Sequence, residues 1–198
     1  MIGVIDYGIG NMFSLSNALK YLNIEFVTIS DPASLDSVDA LILPGVGAFA
    51  EGMRNLNRTG MISALRGSKK PLLGICLGMQ LLFEESEEFE LTKGLGLIPG
   101  RIIKITGSVK IPHMGWNQLI IHQDSIITTN ISNGSFVYFV HSYKAITSEK
   151  HVIATADYES DIVSIVQNGN IYGTQFHPEK SGATGLNILK SFVGGVNC

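Results

Sequence analysis

Cys76 sits in Gly74-Ile75-Cys76-Leu77-Gly78, a G-x-C-x-G pattern that closes the apolar run Pro71-Leu72-Leu73-Gly74-Ile75. This is the thiol form of the G-x-S-x-G nucleophile elbow, where a strand ends in a tight turn that exposes the attacking side chain. The flanking glycines let neighbouring backbone pass close by. A helix beginning at Leu77 would aim unpaired N–H groups and its positive dipole end at the sulfur, favouring thiolate over thiol. The N–H of Leu77 would be one oxyanion donor. The competing reading is a buried structural cysteine. A matching base occurs in Gln175-Phe176-His177-Pro178-Glu179-Lys180. In extended backbone, residues i and i+2 share a face, so Glu179 can orient the His177 imidazole. With Cys76 they would form a Cys-His-Glu triad; an exposed turn is the alternative for His-Pro-Glu.

Pro44-Gly45-Val46-Gly47 follows another apolar run, and its glycines permit the N–H of Val46 or Gly47 to turn into a site as the second oxyanion donor. The same stretch fits G-x-G-x-x-A, a dinucleotide-binding pattern. It follows the third strand rather than the first, and no acidic residue stands at the expected distance beyond it. The five histidines include no H-E-x-x-H, and no C-x-x-C occurs, so neither a metal nor a cofactor is expected.

Alternating strands and helices must position these residues. Residues 2–5, 24–29, 40–43 and 71–75 read as short, fully apolar strands, stopped by Asp6, by Ser30-Asp31-Pro32, by Pro44-Gly45 and by the elbow. Between them, Phe13, Leu15, Leu19 and Leu22 mark one helix. Met53, Leu56, Met61, Ile62 and Leu65 mark another, broken near Gly60. Residues 78–85 read as a helix after the elbow. Apolar strands separated by helices argue for a parallel sheet covered on both faces. From about residue 95 the texture becomes strand-like: 102–105, 118–121, 125–128, 136–140, 152–156 and 162–166. Asn168-Gly169 signals a hairpin into 171–175, and 185–192 fits a final amphipathic helix. The expected fold is α/β, a flavodoxin-like, mostly parallel central sheet flanked by helices with an antiparallel extension in the second half. Residues 1–198 would form one domain.

Composition limits the function classes. The chain has 198 residues, 45% of them apolar and 16% charged, which excludes a disordered chain. The net charge is −3 with no basic block, which argues against nucleic-acid binding. Cys76 and Cys198 alone make no disulfide framework, and terminal Cys198 is assigned no chemistry. The longest apolar run, residues 71–83, is too short to cross a bilayer, and the N-terminus carries no signal-peptide pattern. A cytoplasmic enzyme or binding domain is expected, with no membrane partner.

Gly74-Ile75-Cys76-Leu77-Gly78-Met79-Gln80 together with His177-Pro178-Glu179 resembles the class I (triad) glutamine amidotransferases. Pro44-Gly45-Val46-Gly47-Ala48-Phe49, Leu81-Leu82-Phe83-Glu84-Glu85-Ser86, Pro112-His113-Met114-Gly115-Trp116-Asn117 and His141-Ser142-Tyr143 extend the likeness over nearly the whole chain. Within that class the family of glutaminase subunits of imidazole glycerol phosphate synthases is the closer resemblance. It implies that Cys76 attacks the side-chain amide of glutamine, that His177 passes the proton to ammonia, and that a γ-glutamyl thioester is hydrolysed. It also implies that Gln80, Glu88, Gly47, His141, Ser142 and Tyr143 surround the glutamine. Asn11, Trp116 and Lys180 would lie near a docking face. The implied partner is a (β/α)₈ cyclase subunit, which uses the ammonia to make imidazole glycerol phosphate and an aminoimidazole carboxamide ribonucleotide. For Glu88 the alternative is a solvated acidic helix end. Lys144 stands where the histidine-pathway pattern has an aromatic. A paralogue feeding ammonia to a sugar-modifying synthetase of surface polysaccharide synthesis therefore stays open. So do a cysteine peptidase or thiol esterase on the same architecture and an inactive scaffold.

Overall fold

A computed structural model describes residues 1–196; Cys198 lies outside the described residues. The first half runs β1 (Ile2–Ile5), α1 (Met12–Tyr21), β2 (Phe26–Ile29), β3 (Ala40–Gly45), α2 (Phe49–Arg58), α3 (Met61–Gly67), β4 (Leu72–Cys76) and α4 (Leu77–Leu81). Then come β5 (Phe83–Ser86), β6 (Thr92–Lys93), β7 (Ile98–Lys104), β8 (His113–Gln118), β9 (Ile120–Ile121), β10 (Phe136–His141) and β11 (Tyr143–Ile146). β12 (Val152–Asp157), β13 (Asp161–Asn168), β14 (Ile171–Thr174) and α5 (Gly182–Val196) complete the order.

The main sheet has the order β2-β1-β3-β4-β14-β13-β12-β9. It is parallel from β2 to β14 and antiparallel from β14 to β9. This is the expected mostly parallel sheet with an antiparallel extension. Every residue of β1, β3 and β4 is buried, because both faces are covered. Alternation divides the side chains. Ile5, Leu41, Leu43 and Leu72 pack with Met53 and Leu56 of α2 and Leu65 of α3. Ile2, Val4, Ala40, Ile42, Leu73 and Ile75 pack with Leu15 and Leu19 of α1 and with Ile188, Leu189 and Phe192 of α5. Two smaller sheets, β10-β8 and β11-β7-β5-β6, stand beside this one. Among the described residues no helix is long and apolar enough to cross a membrane.

Several expectations change. The helix after the elbow ends at Leu81, and Phe83–Ser86 is a strand, parallel to β7. Backbone N–H groups of a distant loop take the carbonyls that a longer helix would need: Leu95 N donates to Leu81 O (2.8 Å), Leu97 N to Leu82 O (2.8 Å) and Gly96 N to Phe83 O (3.0 Å). Residues 125–128 are not a strand. Ile126–Thr128 is a 3₁₀ turn, closed by bonds between Ser125 N and Thr128 Oγ1 (3.2 Å) and between Thr128 Oγ1 and Ser125 O (2.9 Å). Phe13 leaves the apolar stripe of α1 and is 78% exposed, because two positions before Leu15 lies on the opposite side of a helix. The helix break at Gly60 stands, with φ +74°. So does the hairpin at Asn168-Gly169, joining β13 to β14.

The elbow depends on contact between backbones. A Cβ at Gly78 would lie 1.8 Å from the carbonyl oxygen of Leu43 in β3, and one at Gly74 would lie 2.7 Å from the carbonyl of Gly78. Neither neighbour can retreat without shifting the sheet. Gly78→Ala is therefore expected to cost more than the ~1–3 kcal/mol of ordinary overpacking. Gly194→Ala on α5, where a Cβ meets nothing within 4 Å among the described residues, should gain up to ~1 kcal/mol of helix propensity. Urea unfolding midpoints measure both, and equal midpoints for Gly78→Ala and the parent would contradict this account of the elbow.

Candidate active site

Cys76 ends β4 with φ 53° and ψ −109°, left-handed backbone that a non-glycine residue adopts at a cost of about 1–3 kcal/mol. The sheet enforces it. Gly45 of β3 is the register partner of Cys76, and the chain must reverse directly into α4. α4 is only Leu77–Leu81. The field at the sulfur is therefore that of one turn's N–H groups rather than a full macrodipole, a correction to the sequence expectation.

His177 and Glu179 form a buried pair: Nδ1 donates to Oε1 at 2.9 Å, with the side chains 2% and 3% exposed. Their closeness does not come from extended backbone. Pro178–Lys180 is a 3₁₀ turn, and Ser181 Oγ donates to the His177 carbonyl at 2.6 Å. The turn carries Glu179 under the imidazole, and the hydroxyl fixes the turn. His177 Nε2 has no close hydrogen-bond partner among the described residues, and Cys76 is near enough to bear on the charge of the ring. Burial alone would push the imidazole down. Cys76 and Glu179 outweigh it and hold His177 up at about 10.

Cys76 and His177 line a cavity of about 370 Å³, within the usual size of small-ligand sites. Val46, Gly47, Leu77, Gln80, Glu88, His141, Ser142 and Tyr143 line it too, so the structure gathers the oxyanion and substrate candidates in one place. Gly47 has φ +97°, which only glycine adopts without strain. Tyr7 Oη donates to the Pro44 carbonyl (2.9 Å) and pins the start of that loop. Glu88 is no solvated helix end. Its neighbours Glu87 and Glu90 are exposed, whereas Glu88 is buried. Its Oε2 accepts the N–H of Phe49 at 2.6 Å. Ala48 supplies no side-chain cap for α2, so Glu88 caps that helix from 39 positions away.

Gln80 donates both amide hydrogens, to Gln175 Oε1 (3.0 Å) and to the Tyr143 carbonyl (3.3 Å). Its own carbonyl oxygen makes no hydrogen bond among the described residues, and Gln80 stands on the cavity wall. His141 Nδ1 must donate to the same Tyr143 carbonyl (2.8 Å), so His141 Nε2 accepts from His113 Nδ1 (3.0 Å). Both rings are neutral. Burial pushes His113 down to about 4 and His141 down to about 3. His113 also stacks on Phe139 and Tyr158, centroids 4.5 and 3.9 Å away.

The three docking-face candidates stand outside the cavity. Asn11 caps α1, accepting from Ser14 N at 3.1 Å, and lies in a crevice with Pro44, His177 and Glu179. Trp116 is 55% exposed on β8, edge-on to Tyr138. Lys180 is exposed on the turn that bears Glu179. Sequence reasoning passed over Gln175, which is fully buried with Nε2 3.9 Å from Cys76 Sγ. What marks it is structural: it stands one residue past β14, which pairs with the strand of Cys76. Among the described residues no group of three or more His, Cys, Asp or Glu could hold a metal ion.

Residues 3–194 match the family model for class-I glutamine amidotransferases. The imidazole glycerol phosphate synthase subunit HisH of Geobacillus kaustophilus is 48% identical over 98% of this chain and 96% of its own length. The HisH subunit of Listeria monocytogenes is 49% identical over 97% of this chain and 94% of its own. Among solved structures, one described as a glutamine amidotransferase has a TM-score of 0.78 at 19% identity, covering 100% of this chain and 99% of that one. PurLQS from Thermotoga maritima has 0.73 at 21%, with coverage of 98% of each chain. At those identities the two structures speak for the fold alone, whereas the curated relatives and the family model speak for descent. The chain belongs to the class-I glutamine amidotransferases, an enzyme family, and within it to the relatives of imidazole glycerol phosphate synthase subunit HisH.

Proposed function

We propose that the chain is the glutaminase subunit of an imidazole glycerol phosphate synthase, acting as one amidotransferase domain over residues 1–198 in the cytoplasm. The observation that carries the reading is the strained Cys76 beside the buried His177–Glu179 pair on the wall of a cavity sized for a small molecule. The Cys76 sulfur attacks the side-chain amide carbon of glutamine. His177 Nε2 takes the thiol proton and passes it to the departing nitrogen, which leaves as ammonia. Glu179, bonded to Nδ1, keeps the ring in the tautomer that frees Nε2 and stabilises the imidazolium. The N–H groups of Leu77 and of Val46 or Gly47 receive the developing oxyanion. Water, deprotonated by His177, then cleaves the γ-glutamyl thioester to glutamate and frees the thiol.

Substrate selection follows from the same wall. The Glu88 carboxylate offers the charge that an α-ammonium group seeks, and the free Gln80 carbonyl accepts an N–H. An amino acid with a terminal amide meets both, which favours glutamine over a peptide chain. The HisH relatives, similar across almost the whole length, support imidazole glycerol phosphate synthesis over a sugar-modifying paralogue. In this reading the partner is a (β/α)₈ cyclase subunit that takes the ammonia directly. Asn11, Trp116 and Lys180 face it, and Trp116 brings the exposed aromatic area common at interfaces.

Three outcomes test the reading. Cys76→Ser should lose more than roughly a thousandfold in glutamate release while still binding the cyclase, because the volume barely changes. His177→Ala should lose as much, and Glu179→Gln roughly a hundredfold less, since it orients rather than transfers the proton. Glutamate release should rise about a hundredfold or more when the cyclase and its nucleotide are added. That rise corresponds to bringing one oxyanion donor, worth ~3 kcal/mol, into line. Equal rates for the chain alone and in the loaded complex would contradict the subunit reading.

A further inference from the structure

We infer that Gln175 is a further member of the nucleophilic site, donating its side-chain N–H to the Cys76 sulfur and favouring the thiolate; this rests on the glutaminase reading. The first ground is topological. β14 pairs in parallel with β4, and the last register pair is Thr174 with Ile75. One step further places Gln175 alongside Cys76, whose other neighbour is Gly45 of β3. The sulfur thus emerges between a glycine, which offers no side chain, and a glutamine, which offers an amide.

The second ground is the direction of the bonds. An amide can be turned either way, and the network must decide. Here it does so from a fixed end. The Tyr143 carbonyl can only accept, so His141 Nδ1 and the amide nitrogen of Gln80 both donate to it (2.8 and 3.3 Å). Gln80, held in that sense, gives its second hydrogen to Gln175 Oε1 at 3.0 Å. Gln175 must then present Nε2, and not its oxygen, to Cys76 Sγ at 3.9 Å. The reversed amide would set two N–H donors against each other at Gln80. Gln175 is fully buried, so its amide cannot turn to solvent for another partner.

A donor with no acceptor turned toward the sulfur distinguishes the two protonation states. It stabilises thiolate, which accepts strongly, more than thiol, which accepts weakly. The arrangement matters because α4 supplies only a single turn. The titratable groups around the sulfur are His177 with Glu179 behind it and Tyr7, whose hydroxyl is committed to Pro44. His141 and Glu88 lie across the cavity. Of these, His177 is the only cation, and it must give up its proton during turnover. Gln175 is the neutral donor that stays in place when His177 does so.

The test measures alkylation of Cys76 by iodoacetamide against pH, beside glutamate release by the cyclase complex. Gln175→Met keeps the volume and removes the donor. We expect its alkylation at pH 7 to be at least about tenfold slower than the parent's, with the whole alkylation profile displaced to higher pH. Gln175→Glu keeps the outline and the acceptor for Gln80 but turns a carboxylate at the sulfur, and should lose as much or more. Near-ultraviolet circular dichroism identifies a variant that has lost its packing, in which case the other decides. Alkylation of a folded variant within twofold of the parent at every pH would overturn the inference. A parent that releases no glutamate, with alkylation still slowed in the variants, would overturn the glutaminase reading and sustain the role of Gln175.

Discussion

The left-handed backbone of Cys76 is the constraint on which the rest of the molecule depends. A β4 that ended in ordinary extended backbone would send its last side chain into one of the two covered faces of the sheet. The turn at Cys76 instead carries the thiol to the carboxyl edge of the strands, where parallel α/β sheets present their ligands. Holding a non-glycine residue there costs stability, and the sheet supplies it through contact without side chains. Gly78 rests on the Leu43 carbonyl, Gly74 on the backbone of Gly78, and Gly45 beneath Tyr7 and Leu77. The same closeness brings the loop after β3 and the turn after β14 to the sulfur, so one strained residue aligns the contributions of three strands.

Around that point the polar groups are oriented in series. Asn117 donates to the Asp157 carbonyl and lies 3.4 Å from His113. His113 donates to His141, and His141 and Gln80 meet at the Tyr143 carbonyl. Gln80 in turn sets Gln175. Buried neutral imidazoles are suited to such a series, because burial keeps both from charging and each then has one donor and one acceptor. The series joins the β8–β10 ribbon, which bears the exposed Trp116, to Cys76. On the other wall, Glu88 caps α2 at Phe49, two residues past Gly47. The groups assigned to substrate and to oxyanion therefore share their supports.

Much of this was legible in the sequence for a simple reason. β1, β3 and β4 are buried on both faces, so their apolar runs are nearly continuous and their ends are marked by Asp, Pro or Gly. The elbow is equally plain, since glycines two residues either side of a cysteine have few other uses. Phe83–Ser86 was unreadable as a strand because its boundary is set by residues 95–97, not by its own side chains. Residues 125–128 carry β-branched side chains, but local hydroxyl bonds closed them into a turn. The pairing of His177 with Glu179 was legible, and its backbone was not, because proline permits both an extended step and a 3₁₀ turn. Gln175 escaped notice because a buried glutamine has no sequence signature of its own. Its meaning appears only once β14 is known to lie beside β4.

The central claim is that the Cys76 sulfur is the atom to which the glutamyl group is transferred. Acid quenching of the cyclase complex during turnover of glutamine, followed by peptide mass spectrometry, tests it directly. The account predicts a γ-glutamyl adduct on the peptide bearing Cys76, appearing with turnover and decaying when glutamine is exhausted. Steady glutamate release with no adduct on that peptide, or with an adduct on another residue, would contradict it.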